Sequence, residues 1–404
     1  MRIFFLLCIH ACASASLLVG VGQREIIPPK GAPSAGYTER KGEGMLGVHD
    51  PLYATALFID NGKKQVAFCS ADHLGYTYEM VQAVAERVHQ LYPACEIYLG
   101  STHTHSGGGA FLNIPVIGEM MAGPYDSALK AFYIEKAAEA ILEAASHPEP
   151  ACVGIGYGRA EGLSLFRALW PKDVEPSCDL TVIKVVRPDG TPLALLYNYP
   201  MHPTILDASN RLFSADFVGF AREKIQNELK PDLPVLYFNG AQGDLVPKIE
   251  DQDRYSACAS IGGNLADRVV QAWKKIEVEK ELSIATEKMP YSFGLHLTPL
   301  GIQLPLSHYR SEINLIVLNK HVFVTIPGEL SCAYEQRWKE RFGRCLTILG
   351  LVNDAHGYII LPEAYSLPTY EAAFSFGGRD YGDEVEKMVF LLLERYAEDF
   401  RAAR

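Results

Sequence analysis

The sequence lacks an internal apolar run of the roughly 20 residues that a membrane-spanning helix requires. Basic residues are also in short supply, because 37 Lys and Arg stand against 48 Asp and Glu, which gives a formal net charge of -11. Nucleic-acid phosphates are bound by concentrated positive charge, so this balance argues against a nucleic-acid partner. What remains, 48% hydrophobic and 21% charged residues, is typical of a globular protein with a substantial core.

Closely spaced cysteine pairs are absent as well. None of the nine cysteines forms a Cys-x-x-Cys pair, so a cysteine-rich zinc module is excluded. Cys8 and Cys12 precede residue 16, and the odd number that follows predicts that no disulfide framework defines the fold. Cys69 and Cys152 lie in apolar, strand-like segments, and we expect both to be buried as small hydrophobic residues.

The N-terminus has the pattern of a signal peptide over residues 1–15. A short positive start precedes the mostly apolar stretch Ile3–Ala13, and Ala13-Ser14-Ala15 fits a small-residue cleavage site. An alternative is a bacterial lipoprotein site that would leave Cys12 as a lipidated N-terminus. Both interpretations predict an exported protein, either secreted or periplasmic.

Strand and helix patterns alternate along the chain, and Asp60-Asn-Gly-Lys63 is a strong hairpin turn. Hairpins mixed with crossover helices predict an α/β protein, with two mixed sheets flanked by helices, in a single domain over residues 16–404. The predicted strands are Tyr53–Ile59, Gln65–Cys69, Glu96–Gly100, Leu180–Val186, Leu193–Tyr197, Val235–Asn239, Glu312–Leu318, His321–Ile326 and Leu346–Val352, and the predicted helices are Glu79–Leu91, Asp126–Ser146, Phe217–Leu229, Ser260–Val278 and Asp383–Phe400.

The most informative segment is Tyr98–Gly109, where an apolar, strand-forming stretch ends in His103-Thr-His105 and then breaks into glycines. Side chains two residues apart lie on the same face of a strand, so His103 and His105 are predicted to project together from a strand end. Neutral imidazole is the commonest protein ligand of zinc, which indicates a metal-centred active site. Taken alone, the pair is also consistent with two histidines satisfied by local hydrogen bonds.

Three further apolar strands end in polar clusters. These lead to His202 between two prolines, to Glu329 after a Pro-Gly turn, and to Tyr358, with Tyr370 twelve residues later. Each cluster alone is weak evidence for an active site, because His202 could be a turn residue and Glu329 could cap a helix. Together they supply imidazoles, a carboxylate and a phenol, which suits zinc with an open position for water. Zinc in such a site lowers the pKa of water to about 7 and polarises a carbonyl.

With these motifs the chain resembles the neutral ceramidases, zinc-dependent amidases that split ceramide into sphingosine and a fatty acid. The resemblance runs from Gly20 to Phe400 and implies a catalytic domain like theirs. It rests on Gly47-Val-His-Asp50, Ser70-Ala-Asp72, Ser101-Thr-His-Thr-His-Ser-Gly107, Met201-His-Pro-Thr204, Gly243-Asp244, Pro327-Gly-Glu329 and the stretch Asn353–Tyr370.

The resemblance implies a zinc-binding set and a second active-site histidine. The implied ligands are His103, His202, Glu329 and Tyr358. His105 matches the histidine that would orient substrate or transfer a proton in such a site.

The same resemblance implies roles for four more residues. Tyr370 matches a tyrosine that contacts the reacting centre, and Arg167 matches a substrate-facing arginine within a poor local match. Asp72 and Asp244 match acidic positions near the site, of which Asp244 is a candidate catalytic residue. For both aspartates, a role as a cap or as a hydrogen-bond partner of the ligands is the alternative.

The chain also departs from the ceramidase pattern. The serine proposed as the family's nucleophile falls on Val246, which has neither a nucleophile nor a donor, so water activated by zinc is the mechanism left. The segment Pro247–Leu282 is short where the family has insertions that shape a lipid pocket. No segment matches the immunoglobulin-like C-terminal domain that ceramidases carry.

These observations predict an exported zinc hydrolase that cleaves an N-acyl amide bond of the ceramide type. The alternatives are a zinc hydrolase for another amide or ester, a phosphoesterase or amidohydrolase that uses the same His-x-His, and a degenerate binding protein that keeps zinc for structure. The expected partner is an N-acyl small molecule or lipid. No basic amphipathic helix is present, so at most transient membrane contact is expected.

Overall fold

The computed structural model describes residues 17–114, 116–168, 174–297 and 302–396. The predicted signal peptide and the alternative lipidation site at Cys12 therefore lie outside the described residues. Within these ranges, no helix is long and apolar enough to cross a membrane. The described cysteines are all free thiols, and Cys69 and Cys152 are buried, as predicted.

The described strands include every strand predicted from the sequence. In chain order they are β1 Leu18–Glu25, β2 Gly47–Val48, β3 Tyr53–Asp60, β4 Gln65–Ala71, β5 Cys95–Ser101, β6 Glu149–Pro150, β7 Cys152–Arg159, β8 Ser164–Phe166, β9 Asp179–Val186, β10 Pro192–Tyr199, β11 Leu212–Phe213, β12 Val235–Asn239, β13 Leu245–Pro247, β14 Ile284–Leu297, β15 Ile302–Leu318, β16 His321–Ile326, β17 Glu329–Leu330, β18 Leu346–Gly350 and β19 Tyr358–Ile359.

The described helices are α1 Tyr78–His89, α2 Ile117–Ala122, α3 Ser127–Ser146, α4 Phe217–Leu229, α5 Arg254–Lys275, α6 Cys332–Phe342, α7 Tyr370–Ala373 and α8 Tyr381–Glu394. Helix α5 begins six residues before the predicted Ser260, because the side chain of Asp253 accepts a hydrogen bond from Ser256 N and caps it. The last predicted helix ends at Glu394, and the final residues of that prediction, 397–400, lie outside the described residues.

Most strands belong to three mixed sheets, whereas the sequence predicted two. Their strand orders are β5-β4-β3-β1-β6, β12-β10-β9-β7 and β14-β15-β16-β18. Each sheet combines antiparallel pairs with a parallel pair, which is β4 with β5, β10 with β12, and β16 with β18. The mixed α/β architecture itself is confirmed.

The three sheets share one inner core and carry helices on their outer faces. Phe68 from the first sheet, Phe238 from the second and Phe323 from the third belong to the same buried cluster. Fully burying such side chains contributes about 1.5–3 kcal/mol each. Residues of α1 and α3 pack against the first sheet, those of α4 and α5 against the second, and those of α6 and α8 against the third.

The fold brings the carboxyl ends of the central strands together. Strand β5 ends two residues before His103, β10 ends three residues before His202, and β16 ends three residues before Glu329. A short parallel pair, β17 with β19, sets Glu329 opposite Tyr358. In α/β proteins, functional sites lie in loops at the carboxyl ends of parallel strands. In this chain, each of the three sheets contributes one such loop to the site.

Candidate metal centre and active site

His103 lies in the loop just beyond β5, and its backbone is not extended, as its spacing with His105 at a strand end had predicted it to be. Strand β5 ends at Ser101, and His103 has a left-handed backbone conformation with φ of 69°. Its Nδ1 lies 2.7 Å from the carbonyl oxygen of Leu74. Because a carbonyl only accepts hydrogen bonds, Nδ1 carries the proton and Nε2 presents a lone pair, which is the state in which histidine binds a metal.

His202 is fixed in the same way by a different loop. It is fully buried, and its Nδ1 lies 2.8 Å from Gln242 O and 3.0 Å from Leu245 O. Both partners are carbonyls, so Nδ1 donates and Nε2 again faces the site. Burial, assisted by the charge of Arg167, lowers the pKa of His202 to about 4, which keeps the imidazole neutral at pH 7.

Glu329 brings the third donor atom to the two Nε2 atoms. Its Oε2 lies 2.8 Å from His202 Nε2 and 3.3 Å from His103 Nε2. Gly328 permits the turn, because a Cβ there would lie 2.6 Å from Gly357 O.

The three donor atoms form a cluster suited to a cation. They lie within 4.8 Å of one another, and all three residues are buried. With both Nδ1 atoms engaged by carbonyls, three acceptors face each other, which is unfavourable unless a cation lies among them. The set could therefore hold a metal ion. Among the described residues this group contains no aspartate, which the phosphoesterase alternative requires as a ligand.

Tyr358 lies beside the cluster and offers a phenol oxygen as a fourth donor atom. Its hydroxyl lies 3.4 Å from His202 Nε2, and Arg167 Nη1 donates a hydrogen bond to it at 3.1 Å. Burial raises the pKa of Tyr358 well above its usual value, while the charge of Arg167 acts in the opposite direction. The guanidinium is therefore placed to stabilise a phenolate at this position.

Arg167, whose local sequence match was poor, lies inside the site. The same Nη1 that contacts Tyr358 also donates to Glu371 Oε1 at 3.1 Å, and the guanidinium carbon lies 5.3 Å from the ring centroid of Tyr370. Glu371 follows Tyr370 directly in the chain, but no sequence pattern predicted a role for it. Arg167 thus contacts both the candidate ligand Tyr358 and the predicted substrate-contacting Tyr370.

His105 lies next to the cluster without belonging to it. Its ring centroid is 5.0 Å from that of His103, and its Nε2 lies 3.5 Å from His103 Nε2. Its Nδ1 is buried and has no hydrogen-bond partner within the described chain. Burial, followed by the two neighbouring histidines, lowers the pKa of His105 well below its usual value.

Asp244 and Asp72 contact structural partners and not the donor cluster. Asp244 accepts hydrogen bonds from the Ser331 hydroxyl and from Cys332 N at 3.0 Å, where α6 begins. Asp72 accepts from Arg222 Nη2 at 2.6 and 2.8 Å. These contacts favour the alternative of hydrogen-bond partners that hold the loops, and a catalytic role for Asp244 stays a prediction.

Val246 lies in the short strand β13, paired with Leu165 of β8. It immediately follows Leu245, whose carbonyl oxygen accepts a hydrogen bond from His202 Nδ1. Its side chain is half-buried and offers no nucleophile.

An apolar cavity of about 210 Å³ opens beside the donor cluster. The candidate site residues His103, His105, Glu329, Tyr358 and Tyr370 line one part of it. The rest of the wall includes the apolar side chains Phe111, Leu112, Ile117, Met121, Phe374 and Phe376. The site therefore combines a polar wall, beside residues that could hold a metal, with an apolar chamber.

Comparison with known proteins finds matches to neutral ceramidases. The family model for the N-terminal part of neutral/alkaline non-lysosomal ceramidases matches residues 17–258. A neutral ceramidase from Drosophila pseudoobscura pseudoobscura is 27% identical over 239 residues, which cover 54% of this chain and 33% of that protein. A neutral ceramidase from Mycobacterium tuberculosis is 22% identical over 193 residues, covering 43% of this chain and 30% of the relative.

The structural similarity covers more of the chain than the sequence similarity does. The crystal structure of neutral ceramidase from Pseudomonas aeruginosa has a TM-score of 0.81 at 16% identity, covering 93% of this chain and 73% of that one. A ceramidase complexed with C2 has a TM-score of 0.82 at 16% identity, covering 94% and 76%. Glu329, Tyr358 and Tyr370 lie outside residues 17–258. Because the family model matches more than half of the sequence, the chain belongs to the neutral/alkaline non-lysosomal ceramidase family.

Proposed function

We propose that the protein is a zinc-dependent hydrolase that cleaves the amide bond of an N-acyl substrate of the ceramide type. The observation that carries the proposal is the cluster of His103, His202 and Glu329, of which His103 and Glu329 also line the apolar cavity. Imidazole nitrogens and a carboxylate oxygen are ligands that zinc favours, and the phenol of Tyr358 would be the fourth. When bound, zinc would lower the pKa of a water molecule to about 7 and polarise the substrate carbonyl.

His105 is the candidate proton carrier. It faces the same space as the donor atoms, and its lowered pKa leaves the imidazole neutral at pH 7, ready to accept a proton. In the proposed reaction its ring takes a proton from the attacking water. It then returns that proton to the amide nitrogen as the carbon–nitrogen bond breaks, so that a free amine and a carboxylic acid leave.

Arg167 and Tyr370 are placed to stabilise the oxygen on which negative charge develops. Glu371 holds the guanidinium of Arg167 against the Tyr370 ring, and the pKa of Arg167 is raised, so the group stays cationic. Fixed donors of this kind contribute about 10²–10³-fold to kcat in acyl transfer. Val246 offers no nucleophile, so we propose direct attack by water without an acyl-enzyme.

The cavity supports an N-acyl substrate with a hydrocarbon chain. Its volume of about 210 Å³ exceeds the roughly 150 Å³ of an apolar cavity that holds benzene. It is below the roughly 300–1,000 Å³ of sites that enclose drug-sized ligands. We therefore propose that only part of a long chain is enclosed, and that N-acyl amides or esters shorter than ceramide are the second candidate class.

Export and membrane contact remain proposals of the same kind. Residues 1–15 would be removed as a signal peptide from a single-domain protein spanning residues 16–404, unless Cys12 is lipidated. The net charge of -11 disfavours attraction to anionic lipid, so we propose transient contact with the lipid that supplies the substrate. No nucleic-acid partner is proposed.

The proposal is tested by measuring the metal content of the protein together with its hydrolysis of ceramides. The mature protein is purified, its zinc is quantified, and fluorogenic ceramides with short and long acyl chains are offered as substrates. One zinc per chain with amine release is the expected result. Zinc without turnover of either ceramide would reject ceramide and leave the shorter amides and esters as the next substrates to assay.

A degenerate zinc-binding protein is the alternative that Val246 favours. It is tested with His105→Ala, because His105 is not among the proposed ligands. We expect this variant to retain zinc and to lose kcat by about 10²–10⁴-fold, the contribution of a general acid–base group. Absence of hydrolysis of any acyl amide or ester by the zinc-loaded wild type would instead support the binding protein.

A further inference from the structure

Within the described chain, His105 Nδ1 donates no hydrogen bond to a backbone carbonyl. Its Nδ1 has no partner among the described residues, whereas the Nδ1 atoms of His103 and His202 both donate to carbonyls. The imidazole must nevertheless keep a fixed orientation to exchange a proton with a reacting group. Something other than hydrogen bonding therefore positions this ring.

The segment that begins at Gly36 packs against the ring of His105. Tyr37 meets it edge-to-face, with 4.7 Å between ring centroids and 61° between ring planes. Gly36 backs directly onto the imidazole, and any Cβ there would collide with Nδ1. Gly36 also has φ of 105°, a conformation that favours glycine. The tyrosine and the glycine thus enclose the imidazole without engaging its nitrogens.

Arg40 fastens the same segment to the loop of His105. Its guanidinium is buried and donates hydrogen bonds to His105 O and to Asp207 O, the latter at 3.0 Å. It also lies 4.9 Å from the ring centroid of Tyr37. Within the described chain no carboxylate oxygen lies within 4.0 Å of it. A buried cation that holds carbonyls from two loops is costly to desolvate, which indicates a specific positional role.

We propose that Tyr37 and Arg40 act together as positioning residues for His105. Arg40 fixes the backbone of His105 relative to Tyr37, and Tyr37 fixes the ring plane while leaving Nδ1 uncommitted. The inference rests on the proposed function of His105 as the proton carrier. Neither residue touches the substrate or the donor cluster in this scheme, so both affect the rate only through the His105 ring.

The first test compares Tyr37→Leu with Tyr37→Phe in the zinc-loaded, full-length enzyme. We expect Tyr37→Leu to lower kcat by about 10–100-fold, the effect of a misplaced catalytic group, with KM within about twofold of the wild type. Tyr37→Phe keeps the ring edge and should restore most of kcat. Tyr125→Leu, which removes an exposed tyrosine outside the cavity wall, is the matched control.

Arg40→Lys provides a second variant should Tyr37→Leu fold poorly. Lysine keeps the charge but lacks the planar fork that reaches several acceptors, so we expect the same fall in kcat at unchanged zinc content. A kcat equal to that of the wild type in both Arg40→Lys and Tyr37→Leu would overturn the proposal.

A spectroscopic measurement separates this inference from the proposed function. Imidazole nitrogen NMR of the zinc-loaded protein should show one set of His105 signals in the wild type and broadened or doubled signals in Tyr37→Leu. If His105→Ala has no effect on kcat, the proton-carrier role fails. If His105→Ala abolishes activity while Tyr37→Leu keeps both wild-type kcat and sharp His105 signals, the positioning proposal alone fails.

Discussion

Two kinds of histidine meet in this site, and they are held by different means. His103 and His202 each donate Nδ1–H to backbone carbonyls, which fixes both the tautomer and the direction of Nε2. His105 lies within 3.5 Å of one of them but is enclosed by Gly36 and Tyr37 with Nδ1 free of any described partner. A fixed tautomer suits a metal ligand, whereas a ring with an uncommitted nitrogen suits a group that must gain and lose a proton.

The largest effect is expected from removing the charge that the two fixed histidines face. Glu329→Gln keeps the shape of the side chain but loses the carboxylate 2.8 Å from His202 Nε2. We expect zinc affinity to fall by more than about 100-fold, because even partners of ligands contribute 10–100-fold. Competition with a zinc chelator measures the change, and the exposed Glu340→Gln is the control. Unchanged zinc affinity would refute the ligand assignment.

The second prediction concerns pH and the metal-free protein. Burial lowers the pKa of His202 to about 4 and that of His73, whose Nδ1 lies 2.9 Å from Gly75 O, to about 3. Both folded pKa values lie below the ordinary 6.5, so the unfolded chain binds protons more readily between pH 6.5 and about 4. The free energy of unfolding should therefore fall on acidification by about 1.4 kcal/mol per pH unit for each histidine.

Urea unfolding of the chelator-treated protein at pH 7 and pH 5 measures this slope. The His73→Phe variant leaves the donor cluster intact and should show a shallower slope than the wild type. A free energy of unfolding that is the same at both pH values would contradict the assignment of these rings as buried and neutral.

The third prediction tests the partner that the sequence did not reveal. Glu371→Gln removes the carboxylate that accepts from Arg167 at 3.1 Å, and with it the force that holds the guanidinium against Tyr358. We expect kcat to fall by about tenfold, a smaller loss than removal of a fixed donor itself, with zinc retained. Steady-state kinetics of Glu371→Gln measures the change, and Glu363→Gln, at an exposed residue of the same segment, is the control. Wild-type kcat in Glu371→Gln would refute a role for this ion pair.

The sequence predicts the strands of this fold better than its number of sheets. Alternating and continuous apolar runs, such as Val235–Asn239 and His321–Ile326, identify buried strands locally. Assignment of those strands to three sheets depends on pairings between distant segments, which no local pattern reports. The start of α5 was missed because its first turn is polar, and only the cap at Asp253 marks it.

The site shows the same division between local and distant information. Polar residues placed just after strands made His103, His202 and Glu329 candidates, and the resemblance to the ceramidases implied that they act together as ligands; the structure brings the three together. The left-handed backbone at His103 was not predicted, because two histidines separated by one residue are typical of an extended strand. Contacts such as Arg167 with Glu371, or Tyr37 with His105, join residues far apart in sequence, so residue type and spacing alone do not show them.

The smallest effect is expected where the chain departs most visibly from the ceramidase pattern. Val246→Ser restores a hydroxyl in β13, next to the carbonyl of Leu245 that fixes His202, without removing the pairing with Leu165. If water is the nucleophile, this position takes no part in the chemistry, and kcat should stay within about threefold of the wild type. Rapid-quench kinetics provides the measurement. A burst of amine release in Val246→Ser, with a trapped acyl-serine, would show instead that the site is built for covalent catalysis and that valine had suppressed it.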